Sequence, residues 1–321
     1  MSAPLLSVKN LRTHFFTYRG VVHAVDGVSF DIQHGEVVGL VGETGCGKSC
    51  TALSIMRLIQ EPGRILDGEI LLEGKDLLKT GEQEMRSVRG SKIAMIFQNP
   101  TSALNPVFKV GDQITEMIML HKNLDKEKAR QEAEGWLKST GIPSPRERLS
   151  HYPHEFSVGM RQRIMIAIAL SCHPSLLIAD EPTTGLDVTT QAQILDLLAA
   201  LKKEHEMSIM YITHNLGVVA QLCDRVGVMY AGNIVECADV RTIFKKPFHP
   251  YTEGLLKALP RRSMGGDLQE IRGTVPSLIN PPEGCMFSVR CERTQEHCSH
   301  GRPTFTEVEP GHFVSCYSAS K

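Results

Sequence analysis

The chain has 321 residues, of which 41% are hydrophobic and 22% are charged. This length suffices for two or three domains with buried cores. Its 35 basic and 36 acidic residues nearly cancel, so no global charge attracts nucleic acid or an anionic membrane. The N-terminus lacks the pattern of a secretory signal, and no apolar run reaches the roughly 18 residues of a membrane span. We therefore expect a protein of a reducing cytosol, where structural disulfides are rare. From the balanced charge, we do not expect nucleic acid to be a partner of this protein.

A glycine-rich loop follows the first strands. The stretches "SVKNLRTHFF" and "VVHAVDGVSFDI" predict an antiparallel sheet, and "VVGLV" predicts a buried strand. Residues 42–49, "GETGCGKS", match G-x-x-x-x-G-K-[ST], and "CTALSIMRLI" behind them predicts a helix. Such a loop surrounds a β-phosphate with backbone N–H groups, while Lys48 neutralises the β- and γ-phosphates and Ser49 binds Mg²⁺. The predicted nucleotide-binding residues here are Gly42, Glu43, Thr44, Gly45, Cys46, Gly47, Lys48, Ser49 and Cys50.

Residues 99–170 contain no run typical of a buried strand. The stretches "VGDQITEMIMLH" and "DKEKARQEAEGWLKSTG" predict helices. Ile114, Met117 and Ile118 recur at helical spacing, which is more often the mark of a core than of a docking groove. They are therefore not assigned individually to either.

A second buried strand, "SLLIAD", ends in acidic residues. Asp180 closes the strand and Glu181 follows it, at the end of a parallel strand where open sheets hold ligands. We predict that Asp180 holds the Mg²⁺ shell and that Glu181 polarises a water for in-line attack. The alternative is a solvated acidic turn that caps the next helix.

Four of the nine cysteines lie in the last part of the chain. Two predicted strands, "SIMYITHN" and "RVGVMYAGNIVECA", are followed from Phe244 by a sequence rich in Pro and Gly. It predicts a small, irregular appendage that needs a cross-link, such as a metal or a disulfide, to be ordered. Four thiolates suit zinc or an iron–sulfur cluster, and the spacing C-x5-C-x6-C-x17-C differs from a C-x2-4-C zinc knuckle. Disulfides and free thiols remain alternatives. These residues are Cys285, Cys291, Cys298 and Cys316.

The order of motifs resembles the ATP-binding cassette (ABC) ATPases from about residue 5 to residue 245. Residues 42–49 resemble the Walker A loop, Gln98 in "IFQNP" the Q-loop, and Asp180 with Glu181 the Walker B motif and its catalytic glutamate. Asp187 in "TGLD" resembles the D-loop and His214 in "YITHN" the H-loop. The signature motif is matched by Ser157, Val158, Gly159 and Met160.

This resemblance implies an α/β P-loop NTPase fold with ATP and Mg²⁺ as ligands. It implies an ATPase core at residues 1–98 and 171–243 with an antiparallel β subdomain, a helical subdomain at 99–170, and a C-terminal extension at 244–321. The catalytic residues that it implies are Lys48, Gln98, Glu181 and His214. The implied Mg²⁺ ligands are Ser49, Gln98 and Asp180. The signature residues and Asp187 act across a head-to-tail dimer that ATP closes.

Two positions depart from the family pattern or are ambiguous. The signature usually has glycine where this chain has Val158. Because a β-branched residue disfavours positive φ, we predict negative φ at Val158 and retained activity. The adenine base is expected to stack on Tyr18 or, alternatively, on the guanidinium of Arg19.

The last part of the chain, from about residue 245 and called the tail from here on, resembles that of a more restricted group of ABC ATPases. The stretch "HPYTEGLLKALP", then "GTVP" and the four cysteines, is similar to the C-terminal extension of ATPases that drive bacterial dipeptide and oligopeptide importers. This implies a [4Fe-4S] cluster, with zinc less favoured. It also implies a peripheral position on the cytoplasmic side of the inner membrane, beneath two transmembrane permease subunits. The other partners implied are a paralogous ATPase and, indirectly, an extracytoplasmic peptide-binding protein.

Other functions were weighed against peptide import. Nickel importers and importers of other solutes share this tail, so the tail alone does not fix the cargo. A soluble ABC ATPase of DNA repair or translation usually carries a long coiled coil or two cassettes, and the sequence has neither. A redox sensor in the tail that gates the ATPase is permitted by the sequence but has no support in it.

Overall fold

The computed structural model describes residues 3–259 and 271–320. These residues divide into two compact units. The first comprises the described residues of Met1–Gln33, Val37–Leu78 and Tyr211–Lys321, and the second comprises His34–Glu36 and Lys79–Met210. The functional boundaries predicted at residues 98, 170 and 243 stay a prediction.

The strands of the described residues alternate with helices along most of the chain. The strands are β1 Leu6–Thr17, β2 Gly20–Ile32, β3 Val37–Val41, β4 Gly63–Leu72, β5 Lys75–Asp76, β6 Ile93–Ile96, β7 Leu176–Asp180, β8 Ser208–Thr213, β9 Arg225–Tyr230, β10 Asn233–Asp239, β11 Thr306–Glu309 and β12 His312–Val314. The helices are α1 Lys48–Ile55, α2 Glu82–Val88, α3 Pro100–Ala103, α4 Val110–Lys122, α5 Lys126–Ser139, α6 Pro145–Arg148, α7 Val158–Leu170, α8 Val188–Glu204, α9 Leu216–Leu222, α10 Val240–Lys245 and α11 Pro250–Lys257.

Two sheets build the first unit. One is antiparallel in the order β2-β1-β4-β5, with Leu6 and Leu11 of β1 in the core on either side of a bulge between Val8 and Leu11. In the other, strands of this unit follow the order β11-β12-β10-β9-β3, with β3 parallel to β9. Every residue of β3 is buried, as its unbroken apolar run predicts. The Val37 N–H donates to the Asp224 carboxylate over 2.8 Å, which fixes the start of the strand that leads to the glycine-rich loop.

Helix α1 is shorter than the sequence predicts. The apolar pattern continues to Ile59, but the helix ends at Ile55. Arg57 has a φ of 52°, and the Leu58 N–H donates to the Leu53 carbonyl over 2.8 Å. A left-handed residue and this backward hydrogen bond together close the helix.

The C-terminal segment is more regular than the sequence predicts. It contains α11, a 3₁₀ turn at Ser288–Arg290 and the hairpin of β11 and β12, whose second strand pairs with β10. Phe287 is only 4% exposed, and its ring lies 5.2 Å from that of Tyr230 and 5.5 Å from that of Tyr251. The proline and glycine content predicts irregular structure, because local composition does not reveal the stabilising contacts with strands that are distant in sequence. The tail therefore shares the core of the first unit.

Helices dominate the second unit. Strands β6 and β7 are parallel, pairing Ile93 with Leu176, and α4, α5 and α7 pack together beside them. Ile114 and Ile118 are fully buried, as their spacing favours. No helix within residues 3–259 and 271–320 has the length and apolar character needed to cross a bilayer.

A buried carboxylate ties the tail to β10. Glu236 is fully buried and accepts hydrogen bonds from the Phe248 N–H at 2.7 Å, the His249 N–H at 3.1 Å and His312 Nε2 at 2.7 Å. Burial lowers the pKa of His249 to about 3, so this ring is neutral and its Nδ1 accepts from the Tyr251 N–H. Glu236 thus satisfies donors from the start of α11 and from β12 together.

We predict that Glu236→Leu lowers the free energy of unfolding by about 3 kcal/mol or more, because three buried donors lose their acceptor. Urea unfolding of the full chain measures this change. The matched control is Glu309→Gln, which breaks the exposed ion pair with Lys246 and should cost less than about 1 kcal/mol. Equal effects of the two substitutions would contradict the role given to Glu236.

Candidate nucleotide site

The glycine-rich loop connects β3 to α1 in the first unit. Lys48 is only 5% exposed. Its Nζ donates to the carbonyl oxygens of Gly42 at 2.8 Å and Glu43 at 3.0 Å. A buried ammonium needs such acceptors. Phosphate oxygens of a bound nucleotide would be stronger acceptors for the same group.

Gly47 is required where the loop meets β2. Its φ is 109°, and a Cβ at this position would lie 2.4 Å from the Ala24 carbonyl oxygen. Any other residue would therefore force the loop away from β2. Gly47 also caps α1, so this contact sets where the helix begins.

The remaining loop residues fall into two groups. Thr44, Gly45 and Ser49 are exposed, so a ligand can reach them from solvent. Cys46 is buried, and burial raises the pKa of its thiol. Burial also raises the pKa of Cys50, to about 12. Both cysteines are therefore neutral packing residues rather than nucleophiles.

Sequence patterns missed the contacts that hold Glu43. Its carboxylate receives two hydrogen bonds from Arg290, at 2.8 and 3.0 Å, and its N–H donates to the Tyr251 hydroxyl at 2.9 Å. Both partners lie more than 200 positions away in the C-terminal segment. No local pattern pairs residues at such a separation. The charge of Arg290 beside a predicted cysteine ligand was the one available signal.

In the second unit, β6 and β7 present the predicted metal and water residues. Asp180, the last residue of β7, is 6% exposed. The Glu181 carboxylate accepts from Gln98 Nε2 at 3.1 Å and from the Thr184 hydroxyl at 2.9 Å. The φ of Glu181 is 46°, a strained value for a residue with a side chain. The structure therefore brings Gln98 and Glu181 together, with Thr184 as a partner that the sequence did not suggest.

The signature residues open α7. Ser157 is the N-cap, and its hydroxyl accepts from the Met160 N–H at 3.3 Å. Val158 is the first helical residue and 43% exposed. Its predicted negative φ is confirmed, because an α-helix requires it. A Cβ on Gly159 would lie 2.9 Å from the Thr190 methyl group, so this turn also tolerates little extra bulk.

Asp187 caps α8 in the same unit. Its carboxylate accepts from the Thr190 N–H at 2.9 Å and the Thr190 hydroxyl at 2.7 Å. These hydrogen bonds lower its pKa below the usual value for aspartate. Asp187 is therefore a fixed anion at the start of a helix.

The other predicted nucleotide residues lie in the first unit. His214 follows β8 and is exposed. Tyr18 is at the turn between β1 and β2, where its ring is 91% exposed and its hydroxyl accepts from Arg19 Nε at 2.7 Å. The Arg19 guanidinium also lies 5.3 Å from the centre of that ring. Phe16, 44% exposed on the same hairpin, is a further aromatic surface.

The four C-terminal cysteines are free thiols that lie near one another. The Cys285 N–H donates to the Cys298 carbonyl at 2.7 Å. Burial raises the pKa of Cys285, Cys291 and Cys316, and the neighbouring cysteines raise the pKa of Cys285 further. A disulfide is absent from the described part of the chain.

The spacing of these sulfurs bears on which metal would fit. Tetrahedral zinc with bonds of about 2.3 Å would draw the sulfurs to about 3.8 Å from one another. Within the described residues, the one compact group of three potential metal ligands is His14, His23 and Asp26, whose ligand atoms all lie within 4.8 Å of one another. There Asp26 is already paired with Arg302, at 2.5 Å. The four cysteines do not form such a compact group of ligand atoms within the described residues.

Comparison with known proteins connects these sites to one family. A family model described as "ABC transporter" matches residues 25–184, and one described as "Oligopeptide/dipeptide transporter, C-terminal region" matches residues 235–298. A solved ATP-binding cassette, a dimer in a post-hydrolysis state with ADP and Pi, has a TM-score of 0.66 and 25% identity. The match covers 74% of this chain and 99% of that one.

Curated relatives match nearly from end to end. The dipeptide transport ATP-binding protein DppD of Bacillus subtilis is 50% identical, covering 98% of this chain and 94% of that protein. The oligopeptide transport ATP-binding protein OppD of Escherichia coli is 48% identical, covering 98% and 93%. The predicted ABC ATPase fold is confirmed. The chain belongs to the family of ABC transporter ATP-binding proteins that carry the oligopeptide/dipeptide transporter C-terminal region.

Proposed function

We propose that the chain is the ATP-hydrolysing subunit of a bacterial peptide importer. The observation that carries this proposal is the glycine-rich loop with a buried Lys48, in a chain about half identical to dipeptide and oligopeptide transport ATPases over nearly its whole length. The reaction is phosphoryl transfer from ATP to water. Peptide as the cargo rests on the names of these relatives.

The loop residues bind the triphosphate. Lys48 exchanges its two carbonyl acceptors for the β- and γ-phosphates, and the loop N–H groups surround the β-phosphate. Ser49, Gln98 and Asp180 offer the hydroxyl, amide and carboxylate oxygens that Mg²⁺ prefers. When bound, Mg²⁺ neutralises charge that develops on the phosphates.

Glu181 orients and deprotonates the attacking water. Hydrogen bonds from Gln98 and Thr184 fix the Glu181 carboxylate, which is the support that a general base needs. For His214 we propose the contact with the γ-phosphate that the family resemblance implies. Gln98 thereby links the state of the nucleotide to the Glu181 carboxylate.

A second cassette completes the site. The N-terminus of α7, from Ser157 to Met160, offers its dipole and free N–H groups to a γ-phosphate held by a paralogous ATPase. Asp187 supports the same contact. The dimeric state described for the solved relative is consistent with this arrangement.

The permease subunits dock on the helical part of the second unit. Large apolar side chains are exposed there, which suits a partner that covers them. We assign the coupling segments of two transmembrane subunits to this surface and place the chain on the cytoplasmic face of the inner membrane. A peptide-binding protein outside the membrane supplies the cargo. The exposed side chains include Val107 at 71%, Phe108 at 54%, Met119 at 39% and Leu120 at 68%, and Phe97 at 40% lies just before this part.

The four C-terminal cysteines hold a [4Fe-4S] cluster in this proposal. Support comes from their free thiols, their closeness to one another and a spacing along the sequence that differs from that of a zinc knuckle. A cubane is larger than one ion and takes four thiolates on separate loops. The cluster would pin the tail to the core that Phe287 enters.

The transport function is tested on a purified complex of the chain with a second ATPase and two permease subunits. ATP hydrolysis should rise when a peptide-loaded binding protein is added. Hydrolysis that ignores peptide but responds to another solute would change the cargo. Absence of any hydrolysis would overturn the proposal.

We predict that Glu181→Gln slows ATP hydrolysis at least about 100-fold, because the water loses its general base. Binding of Mg²⁺–ATP should persist, since Lys48 is unchanged. Steady-state phosphate release and equilibrium binding of ATP measure the two effects. Asp196→Asn, on the exposed face of α8, is the control expected to behave as wild type. Undiminished turnover in Glu181→Gln would contradict the mechanism.

We predict that Val158→Gly changes the ATPase rate of the assembled transporter by less than about threefold, a difference under 1 kcal/mol. Val158 already has helical φ, so its N–H is available without glycine. The helix should lose about 1 kcal/mol or less. A rate more than tenfold above wild type would mean that Val158 obstructs the phosphate.

We predict that chain purified without oxygen contains iron and acid-labile sulfide in equal amounts and absorbs broadly in the visible range. Cys298→Ser should lose both, because a cubane needs each thiolate. Cys172→Ser, far from the tail in sequence, should retain them. Zinc in place of iron, or no metal, would contradict the cluster.

A further inference from the structure

Glu43 of the glycine-rich loop is held at three points by the C-terminal segment. Arg290 donates two hydrogen bonds to its carboxylate, and Tyr251 accepts one from its N–H. The same residue offers its carbonyl oxygen to Lys48. A displacement of Glu43 would therefore move an acceptor of the ammonium that binds phosphate.

Arg290 is buried, and all of its side-chain donors are hydrogen-bonded at this position. Its side chain is 3% exposed. Besides Glu43, its donors reach the Arg272 carbonyl at 2.9 Å, the Ile271 carbonyl at 3.2 Å and the Tyr230 hydroxyl at 3.4 Å. All five N–H groups of the guanidinium thus have acceptors. A paired, bidentate contact of this kind fixes direction as well as charge.

The tail in turn fixes Arg290. It ends the 3₁₀ turn Ser288–Arg290, which stands between Cys285 and Cys291. Phe287, just before that turn, is buried in the core. Arg290 therefore cannot follow Glu43 if the loop moves, and the loop is anchored to the tail.

We propose that Arg290 is a positioning residue for the phosphate loop, acting through Glu43, so that the C-terminal segment is part of the nucleotide-binding apparatus. This inference rests on the proposed ATPase function. Because every N–H group of its guanidinium already has an acceptor in the protein, we assign Arg290 no direct contact with phosphate or metal. Its contribution is to hold the Glu43 backbone where Lys48 and the loop can receive ATP.

Two substitutions separate positioning from simple charge neutralisation. Arg290→Lys keeps the positive charge but loses the paired hydrogen bonds, and should raise the Kd for a fluorescent ATP analogue by about tenfold. Glu43→Gln leaves the tail untouched and removes a negative charge near the phosphates. Charge alone predicts tighter binding for Glu43→Gln, whereas positioning predicts weaker binding.

Binding is measured on the purified full chain with Mg²⁺, with thermal unfolding recorded for each variant. In the assembled transporter the KM for ATP should rise with the Kd, while kcat at saturating ATP changes much less. The variant that carries both substitutions should bind ATP no more weakly than the single variant with the lower affinity, because the two substitutions act through the same contact. Arg293→Met, which breaks the Arg293–Glu253 ion pair of the same segment, is the matched control and should leave the Kd unchanged.

The outcomes distinguish the inference from the function. A wild-type chain that binds no nucleotide would overturn the proposed function and this inference with it. Wild-type binding together with wild-type affinity in Arg290→Lys, or tighter binding in Glu43→Gln, would overturn the positioning role alone. Equal weakening by Arg293→Met would also overturn the positioning role, because any disturbance of the tail would then have the same effect.

Discussion

The buried ammonium of Lys48 sets the conditions for the glycine-rich loop. A charged group that is 5% exposed must have acceptors, and the Gly42 and Glu43 carbonyls supply them. Those carbonyls are correctly placed only if the loop keeps its path between β3 and α1. Gly47 against Ala24 fixes one end of that path, and Arg290 with Tyr251 fixes Glu43 at the other. The loop is thus held in place at both ends.

This arrangement changes how the C-terminal segment is understood. A tail attached only through its cysteines would add no stability to the ATPase. Here Glu236 binds the start of α11 and His312 together, and Phe287 packs between tyrosines of β9 and α11. The tail strands also extend a sheet that includes β3. The cysteine site therefore lies within the same folded unit as the phosphate loop.

The sequence predicted the parts of the site that rest on local pattern. The "GETGCGKS" loop, the strand that ends at Asp180 and the start of α7 at Ser157 all follow from short-range spacing. It missed the early end of α1, which depends on the left-handed Arg57, and the order of the tail, which depends on contacts with β9 and β10. It could not pair Glu43 with Arg290, since side chains 247 positions apart leave no periodic signal.

A structure of the full chain with Mg²⁺ and a non-hydrolysable ATP analogue tests this account most directly. The account predicts that Lys48 Nζ leaves the Gly42 and Glu43 carbonyls for the β- and γ-phosphates, while both hydrogen bonds from Arg290 to Glu43 remain. A nucleotide bound away from residues 42–49 would contradict it. So would a bound nucleotide with Arg290 released from Glu43, because the loop would then receive ATP without its anchor.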